Sequence, residues 1–363
     1  MQNTQSKNRY SVGSLFAGIG GICLGFENAE FDMIWANDND QNACKTYRAN
    51  FKHPINAQNI ETLNTKDFPQ VDIITSGFPC QAFSVAGYQK GFLDPRGNYF
   101  FETLRFIQDI KPKAFLLENV RNLFSHDKGN TIKIIKESIL NSGYSYYSAI
   151  LNTKDFGGIP QTRDRIFIVG FRRDIEESFP SNLQENIFSF PQKLPLKKTI
   201  PDFLDEEVDH SKFYYDKNFM YSNKKENHDG KYFKILQEEI TKENTLYQWR
   251  RKYVRENKNG FCPTLTANMG TGGHNVPLLK DKIGIRKLTP RECARFQGFP
   301  NSFILPGFDN FPQLKQENSI GQLYKQIGNS VSVPVIERIA LSIKDTLDGK
   351  IKTNEKNMKL PGF

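Results

Sequence analysis

The first half of the chain alternates short apolar runs with amphipathic segments. Each run is short enough to be one buried strand, and glycine or polar residues follow it. Strands are predicted at Ser11–Phe16, Met33–Ala36, Val71–Thr75, Ala114–Leu117 and Gln161–Val169. Helices are predicted over Asn98–Ile110 and Thr131–Leu140, where apolar side chains recur on one face. This alternation predicts an α/β fold, a mostly parallel sheet with helices on both faces.

The character of the chain changes after about Phe190. Several prolines, an acidic patch over residues 202–209 and a polar, lysine-rich stretch follow one another, which indicates a domain boundary. Further on, Thr289–Glu292 has the pattern of a capping box with proline at the first helical position, and Gly298 ends that predicted helix. A last helix is predicted to begin at Ser332.

The charge of the chain is unevenly distributed. The 363 residues include 49 Lys and Arg against 40 Asp and Glu, a formal net charge of +9. Between Thr241 and Arg295 there are 12 basic and four acidic residues, nearly the whole excess. Such a stretch is often only a solvated face, but the concentration of charge favours a phosphate-binding surface.

Cysteine and histidine usage argues against disulfides and metal sites. The five cysteines are odd in number, widely spaced and without a CxxC pair, and the five histidines are scattered. We therefore expect no metal. The polar N-terminus and the lack of a long apolar run predict a soluble cytoplasmic protein.

A glycine-rich turn follows the first predicted strand. Ala17–Gly21 precedes a predicted helix, so that backbone can approach a ligand closely. Asp38, about 20 residues past the loop, is placed to accept hydrogen bonds from ribose hydroxyls. The loop has no third glycine in the dinucleotide pattern, and no Walker lysine follows it. A nucleoside without a pyrophosphate fits this loop best.

A thiol, an acid and two arginines follow predicted strands elsewhere. Cys80 lies just past Val71–Thr75, and Glu118 ends the Ala114–Leu117 run. The period of a strand places Arg163 and Arg165 on one face with Gln161, so these groups are expected to converge on one crevice. Each alone has a simpler interpretation: a buried cysteine, a helix-capping glutamate, and arginines on a solvated edge.

Six segments in order resemble the motifs of one family, the S-adenosylmethionine-dependent cytosine-C5 DNA methyltransferases of bacterial restriction-modification systems. They are Phe16–Gly20, Pro79–Gln81, Glu118–Val120, Gln161–Arg165, Arg286–Arg295 and Gln326–Val331. The resemblance implies a class I methyltransferase fold, Rossmann-like, with a smaller target-recognition domain. It implies a catalytic, cofactor-binding domain of residues 1–192 and 320–363, with the last helix beside the cofactor loop, and a recognition domain of residues 193–319.

The resemblance also implies the chemistry. The Cys80 thiolate adds to C6 of cytosine and makes C5 electron-rich, and an electropositive surrounding helps this thiol to ionise. Glu118 meets the charge that develops at N3 as an acid or hydrogen-bond donor. Arg165 donates to O2, and Arg163 holds Arg165 and the neighbouring loop or a phosphate. The products are 5-methylcytosine and S-adenosylhomocysteine.

Nine residues are expected to contact the cofactor by the same resemblance. They are Phe16, Gly18, Gly20, Asp38, Asn59, Ile60, Pro79, Asn329 and Val331. Asn59 departs from the family pattern, which has an acid there to contact the adenine. The amide can still accept or donate a hydrogen bond, and the departure does not touch the covalent chemistry.

The substrate implied by the resemblance is double-stranded DNA with the target cytosine flipped out of the stack. The expected DNA contacts are Gln81, Ser84, Thr264, Arg291 and Arg295. Residues 81–99 resemble a loop that closes over DNA, although an ordinary surface connection has the same composition. Thr264–Asn275 resembles the recognition segment, although a glycine turn without a ligand also fits. We expect a monomer near the bacterial nucleoid, with a restriction endonuclease as its functional partner.

Other functions remain as alternatives. A transfer-RNA cytosine-C5 methyltransferase would share Cys80 and Glu118, but the long basic stretch speaks against it. A catalytically silent DNA-binding regulator would not need Cys80, Glu118 and Arg165 together. An exocyclic amino methyltransferase would carry a Pro-Pro-aromatic motif that this chain lacks.

Overall fold

The computed structural model describes residues 9–79, 99–217, 231–250, 253–270, 274–309 and 318–350. A seven-stranded sheet forms its centre, in the order β3-β2-β1-β4-β5-β7-β6. Its strands are β1 Ser11–Leu15, β2 Asp32–Asn37, β3 Ile55–Asn56, β4 Ile73–Ser76, β5 Ala114–Val120, β6 Tyr147–Asn152 and β7 Asp164–Phe171. The predicted α/β fold is confirmed.

The strands from β3 to β5 are parallel, and β7 enters the sheet in the opposite direction between β5 and β6. The strand predicted over Gln161–Val169 is β7, which begins three residues later than predicted, at Asp164, and extends to Phe171. Gln161 and Arg163 precede it because their polar groups bond to the 262–265 and 296 segments instead of a strand partner. Since β7 is reversed, its start meets the end of β5 at one edge of the sheet.

Helices cover both faces of this sheet, and the two helices predicted from periodicity appear as α3 and α5. The helices of the first part are α1 Gly21–Asn28, α2 Gln41–Asn50, α3 Tyr99–Ile110, α4 Asn122–Ser125, α5 Asn130–Asn141, α6 Thr153–Phe156 and α7 Arg173–Glu177. The later ones are α8 His210–Phe213, α9 Lys231–Glu239, α10 Pro290–Phe296, α11 Ile320–Asn329 and α12 Val333–Leu347. Gly25 of α1 lies directly against Ile336 of α12, so the last predicted helix does return beside the glycine loop. None of the helices in the described ranges is long and apolar enough to cross a membrane.

A second, four-stranded antiparallel sheet has the order β11-β10-β8-β9. Its strands are β8 Tyr247–Arg250, β9 Tyr253–Glu256, β10 His274–Lys280 and β11 Ile285–Lys287. Helix α10 follows it with the predicted capping box, in which Thr289 and Glu292 exchange hydrogen bonds. The largest apolar core contains residues from both predicted domains, such as Phe296 and Ile336, so the domain boundaries stay a prediction.

Part of the basic stretch is neutralised within the fold. Arg286 is buried between Asp281 and Glu292, at 2.7 and 2.8 Å. Further ion pairs join Lys242 to Glu256, Arg291 to Asp309 and Arg295 to Asp205. The count of charges in the sequence therefore overstates the positive surface available to a phosphate backbone.

Candidate active site

A cavity of about 330 Å³ opens at the edge of the large sheet where the parallel strands end. Its walls are the glycine loop after β1, residues 38–40 after β2, residues 77–79 after β4, residues 118–120 of β5, and residues 325–331. Arg163 and Arg165 close it from the side of β7. Ligands of open α/β sheets bind at this edge, because the loops after neighbouring strands diverge there.

The glycine loop is fixed by the acid that follows β2. Asp38 Oδ2 accepts a hydrogen bond from the backbone N–H of Gly18 at 2.7 Å, and Oδ1 accepts one from Asp40 at 2.8 Å. Burial raises the pKa of Asp38, although these two N–H groups oppose the shift. Phe16 lies in the left-handed region with φ of 52°, a conformation uncommon for a side-chain-bearing residue and frequent at functional sites. Gly20 has φ of 90°, and a Cβ there would collide with Phe51.

The predicted acid and one predicted arginine form a buried pair. In the β5–β7 ladder Val120 lies opposite Arg165, which brings Arg165 Nε to 3.0 Å from Glu118 Oε1. Burial raises the pKa of Glu118, although Arg165 and Arg163 oppose the shift. Burial thus favours the protonated acid, in the direction that the sequence predicted.

Arg163 is buried, and its guanidinium group joins two segments of backbone. Nη1 donates to Leu265 O at 2.8 Å, and Nη2 donates to Gly328 O at 3.3 Å and to Ser330 O. These carbonyls belong to the predicted recognition segment and to the cavity wall at the end of α11. Arg163 therefore joins the neighbouring segments, and its predicted contact with Arg165 or with a phosphate stays a prediction.

Asn119, which the sequence reading missed, anchors the predicted nucleophile loop. Its Nδ2 donates to Phe78 O at 3.0 Å, and its Oδ1 accepts from Val120 N. Pro79, predicted to contact the cofactor, lines the cavity. The predicted residues Cys80, Gln81 and Ser84 lie outside the described residues. The position of Asn119 beside the predicted acid was the available signal.

The wall contributed by α11 contains both predicted and missed residues. Asn329 and Val331, predicted to contact the cofactor, line the cavity. Lys325 and Gln326 line it too, and sequence reasoning had not selected them as site residues. Lys325 pairs with Asp40 at 2.8 Å across the cavity wall.

The structure does not bring every predicted site residue to the cavity. Asn59 caps a short 3-10 turn through a hydrogen bond from Glu61 N, and neither Asn59 nor Ile60 is among the lining residues. Thr264 is half-buried and donates its hydroxyl hydrogen to Thr162 O at 2.5 Å. Their ligand contacts remain predictions.

The two arginines predicted to grip DNA are used internally. Arg291 is buried and donates to Phe303 O at 2.7 Å and to Asp309 at 2.6 Å. Arg295 donates to Asp205 at 2.6 Å and to Asn301 at 2.8 Å. A guanidinium that is enclosed and paired has few donors left for a phosphate, so the structure argues against Arg291 as a DNA contact and weakens the case for Arg295.

Comparison with known proteins places these features in a family. The sequence profile described as "C-5 cytosine-specific DNA methylase" matches residues 10–345. The chain is 52% identical over 338 residues to the type II methyltransferase M.Bsp6I of Bacillus sp. (strain RFL6), covering 92% of this chain and 98% of that one. It is 36% identical over 353 residues to the type II methyltransferase M.HhaI of Haemophilus parahaemolyticus, covering 93% and 94%.

Solved structures share the fold at lower identity. The Entamoeba histolytica methyltransferase EhMeth superposes with a TM-score of 0.68 at 19% identity, covering 95% of this chain and 100% of that one. A putative DNA modification methyltransferase encoded within a prophage of E. coli gives a TM-score of 0.66 at 23% identity, covering 93% and 99%. These similarities support the fold alone.

Proposed function

Because the chain belongs to the C-5 cytosine-specific DNA methylase family, we propose that it methylates a flipped-out cytosine in duplex DNA through a covalent adduct with Cys80. The enzyme class is that of the type II cytosine-C5 DNA methyltransferases. The single observation that carries the proposal is the buried Glu118–Arg165 pair in the cavity bordered by Pro79, the residue before the thiol.

The family's methyl donor, S-adenosylmethionine, fits the residues that line the cavity. Asp38 is half-buried at its wall, and its carboxylate is suited to ribose hydroxyls. Gly77 leaves open a space in which a Cβ would lie 3.9 Å from both Phe16 O and Glu118 Oε2. The remainder of the methyl donor would be held by Phe16, Gly18, Pro79, Asn329 and Val331. When bound, the donor supplies an electrophilic methyl group for C5 of the base.

The side chains around the base perform the other steps. The Cys80 thiolate forms a bond from Sγ to C6, and the electron pair of the C5–C6 double bond moves into the ring toward N3. Glu118 gives its proton or a hydrogen bond to N3, and Arg165 stabilises the charge at O2. After C5 is methylated, its proton leaves to solvent, the double bond re-forms, the Sγ–C6 bond breaks, and a proton given to N3 returns to Glu118. Arg163 acts by positioning, because its bonds hold the two loops around this site.

The position of these groups supports base flipping as part of the proposal. Glu118 lies in a cavity at the sheet edge and is buried, so it cannot reach N3 of a base inside a stacked helix. Unstacking costs a few kcal/mol, which contacts made by the extruded base would offset. We assign DNA recognition to the second sheet and its neighbours, within residues 193–319.

The wider biological setting is part of the same proposal. The relatives at 52% and 36% identity are named type II methyltransferases, which supports a restriction-modification system with a cognate endonuclease. A monomer acting at the nucleoid is the simplest form of such an enzyme. RNA as the methyl acceptor is disfavoured, because the family of this chain is described as cytosine-specific DNA methylases and the relatives at 52% and 36% identity are named type II methyltransferases.

Bisulfite sequencing of DNA from cells that express the protein tests this function directly. We expect one short site to carry 5-methylcytosine, and the variants Cys80→Ser and Cys80→Ala to abolish the mark while S-adenosylhomocysteine binding remains. Duplexes with 5-fluorocytosine at that site should form a stable adduct with the wild type. A wild-type rate in either variant contradicts the covalent mechanism. So does the absence of an adduct when the duplex and S-adenosylmethionine are both bound.

A further inference from the structure

The arginine that follows β5 has the position and the free donors for a phosphate contact. Building on the proposed function, we propose that Arg121 binds a backbone phosphate of the DNA beside the flipped cytosine, and that it exchanges Asp164 for this phosphate. Arg121 is then a substrate-positioning residue at the entrance of the cavity.

The position follows from the strand register. Val120 lines the cavity and lies opposite Arg165 in the β5–β7 ladder. Arg121 is the next residue along, and its Nη1 reaches Oδ2 of Asp164 at 3.1 Å, directly before Arg165 in the chain. The pair therefore lies at the edge of the sheet that carries the cavity, where a duplex must approach if one of its bases is to enter.

The side chain is available to a ligand. Arg121 is 64% exposed, the highest value among the ion-paired arginines that the structure describes. Within the described residues, the side chain of Arg121 makes one hydrogen bond, the one to Asp164. A guanidinium has five N–H donors, so a bidentate contact with phosphate oxygens remains open. Arg163 and Arg291, by contrast, are buried and bonded to backbone carbonyls.

The exchange of partners is energetically favourable. An exposed ion pair contributes little to stability, because water and salt screen it. Neutralising a DNA phosphate releases condensed counterions, which favours binding. Asp164 stays in place after Arg121 leaves it, because Oδ1 also accepts a hydrogen bond from Asn152 Nδ2 at 2.7 Å. In free protein Asp164 thus keeps the guanidinium extended at the cavity entrance.

The test measures affinity for a duplex that carries the site found by bisulfite sequencing, over a series of salt concentrations. For Arg121→Gln we expect affinity to fall roughly 5- to 30-fold at low salt, and the slope of log K against log salt to decrease by about 0.9. Arg121→Lys keeps the charge and should keep the slope. Asp164→Asn keeps the carbonyl for Asn152 but removes the competing charge, so it should bind DNA more tightly.

The matched control is Arg9→Gln. Arg9 forms a similarly exposed ion pair with Asp32 at 3.5 Å, before β1 and therefore at the opposite edge of the sheet. This variant should leave affinity and slope unchanged. Melting temperature and S-adenosylhomocysteine binding, measured for every variant, report folding and the cofactor cavity.

An unchanged salt slope in Arg121→Gln overturns the proposal, even if activity falls, because a purely structural role does not alter the number of phosphates neutralised. Looser binding by Asp164→Asn overturns the exchange of partners. After either of these two results, the proposed function stands if the wild type binds and methylates DNA. A wild type that binds no duplex refutes the proposed function and this proposal together.

Discussion

Replacing Glu118 by glutamine separates the role of this residue in catalysis from the effect of its buried carboxyl group on the free energy of unfolding. The amide has nearly the same shape and can still donate a hydrogen bond, but it has no acidic proton to give to N3. General acid catalysis contributes about 10²- to 10⁴-fold, so we expect methyl transfer to slow by that factor. Binding of DNA and of S-adenosylhomocysteine should remain, since the cavity keeps its size.

The same variant should be more stable than the wild type at neutral pH. Burial raises the pKa of Glu118 in the folded protein, whereas an unfolded chain releases this proton near pH ~4.5. Between these two values the folded state binds more protons, so the stability of the wild type falls as pH rises. The advantage of Glu118→Gln should therefore be absent below pH ~4 and grow by up to ~1.4 kcal/mol per pH unit above it, until the folded pKa is passed.

Two measurements check this reasoning. Urea unfolding of both proteins at several pH values gives the difference in the free energy of unfolding, and single-turnover methylation gives the rate. A variant that is destabilised at neutral pH would mean that the ion pair with Arg165 outweighs burial, and that the acid is ionised in the free enzyme. Near-normal turnover would remove its role as an acid.

Two further substitutions test the cavity and the fold. Gly77→Ala places a methyl group 3.6 Å from Ile22 and 3.9 Å from Glu118, which is no collision, so we expect an unchanged melting temperature but roughly tenfold weaker S-adenosylhomocysteine binding by calorimetry; equal affinity would show that the cofactor lies elsewhere. Glu292→Ala leaves the Arg286 guanidinium buried without its main partner and should cost ~3–5 kcal/mol in chemical denaturation, most of which Arg286→Met with Glu292→Leu should recover. A single variant as stable as wild type would mean that Asp281 alone satisfies this arginine.

The sequence predicted the elements whose signal is local. The apolar runs that became β1, β2, β4 and β5 are buried, and parallel order with intervening helices follows from such alternation. The capping box at Thr289 appears in the structure because both of its hydrogen bonds join residues three positions apart. The convergence of Glu118 and Arg165 was also predicted, although the reversed direction of β7 that produces it was not.

What depends on distant partners could not be predicted. Arg291 and Arg295 have the composition of a phosphate-binding pair, and only the fold shows that Asp309 and Asp205 reach them. Asn59 occupies a position at which the resemblance implies an adenine contact, yet its side chain caps a turn. A sequence gives the number of charges in a segment, whereas their neutralisation depends on residues brought in from elsewhere.

Because β7 runs opposite to β5, the distance between the Glu118 carboxylate and the Arg165 guanidinium does not depend on the segments that connect β5 to β6. The carboxylate and the guanidinium are held together by the residue pairing of the adjacent strands β5 and β7. The helices between these strands in the chain take no part in that pairing. Turns between β5 and β6, in residues 121–146, can lengthen or shorten without separating the pair. A shift of the β5–β7 register by one residue, however, would turn Arg165 to the opposite face of the sheet and leave Glu118 without its guanidinium partner.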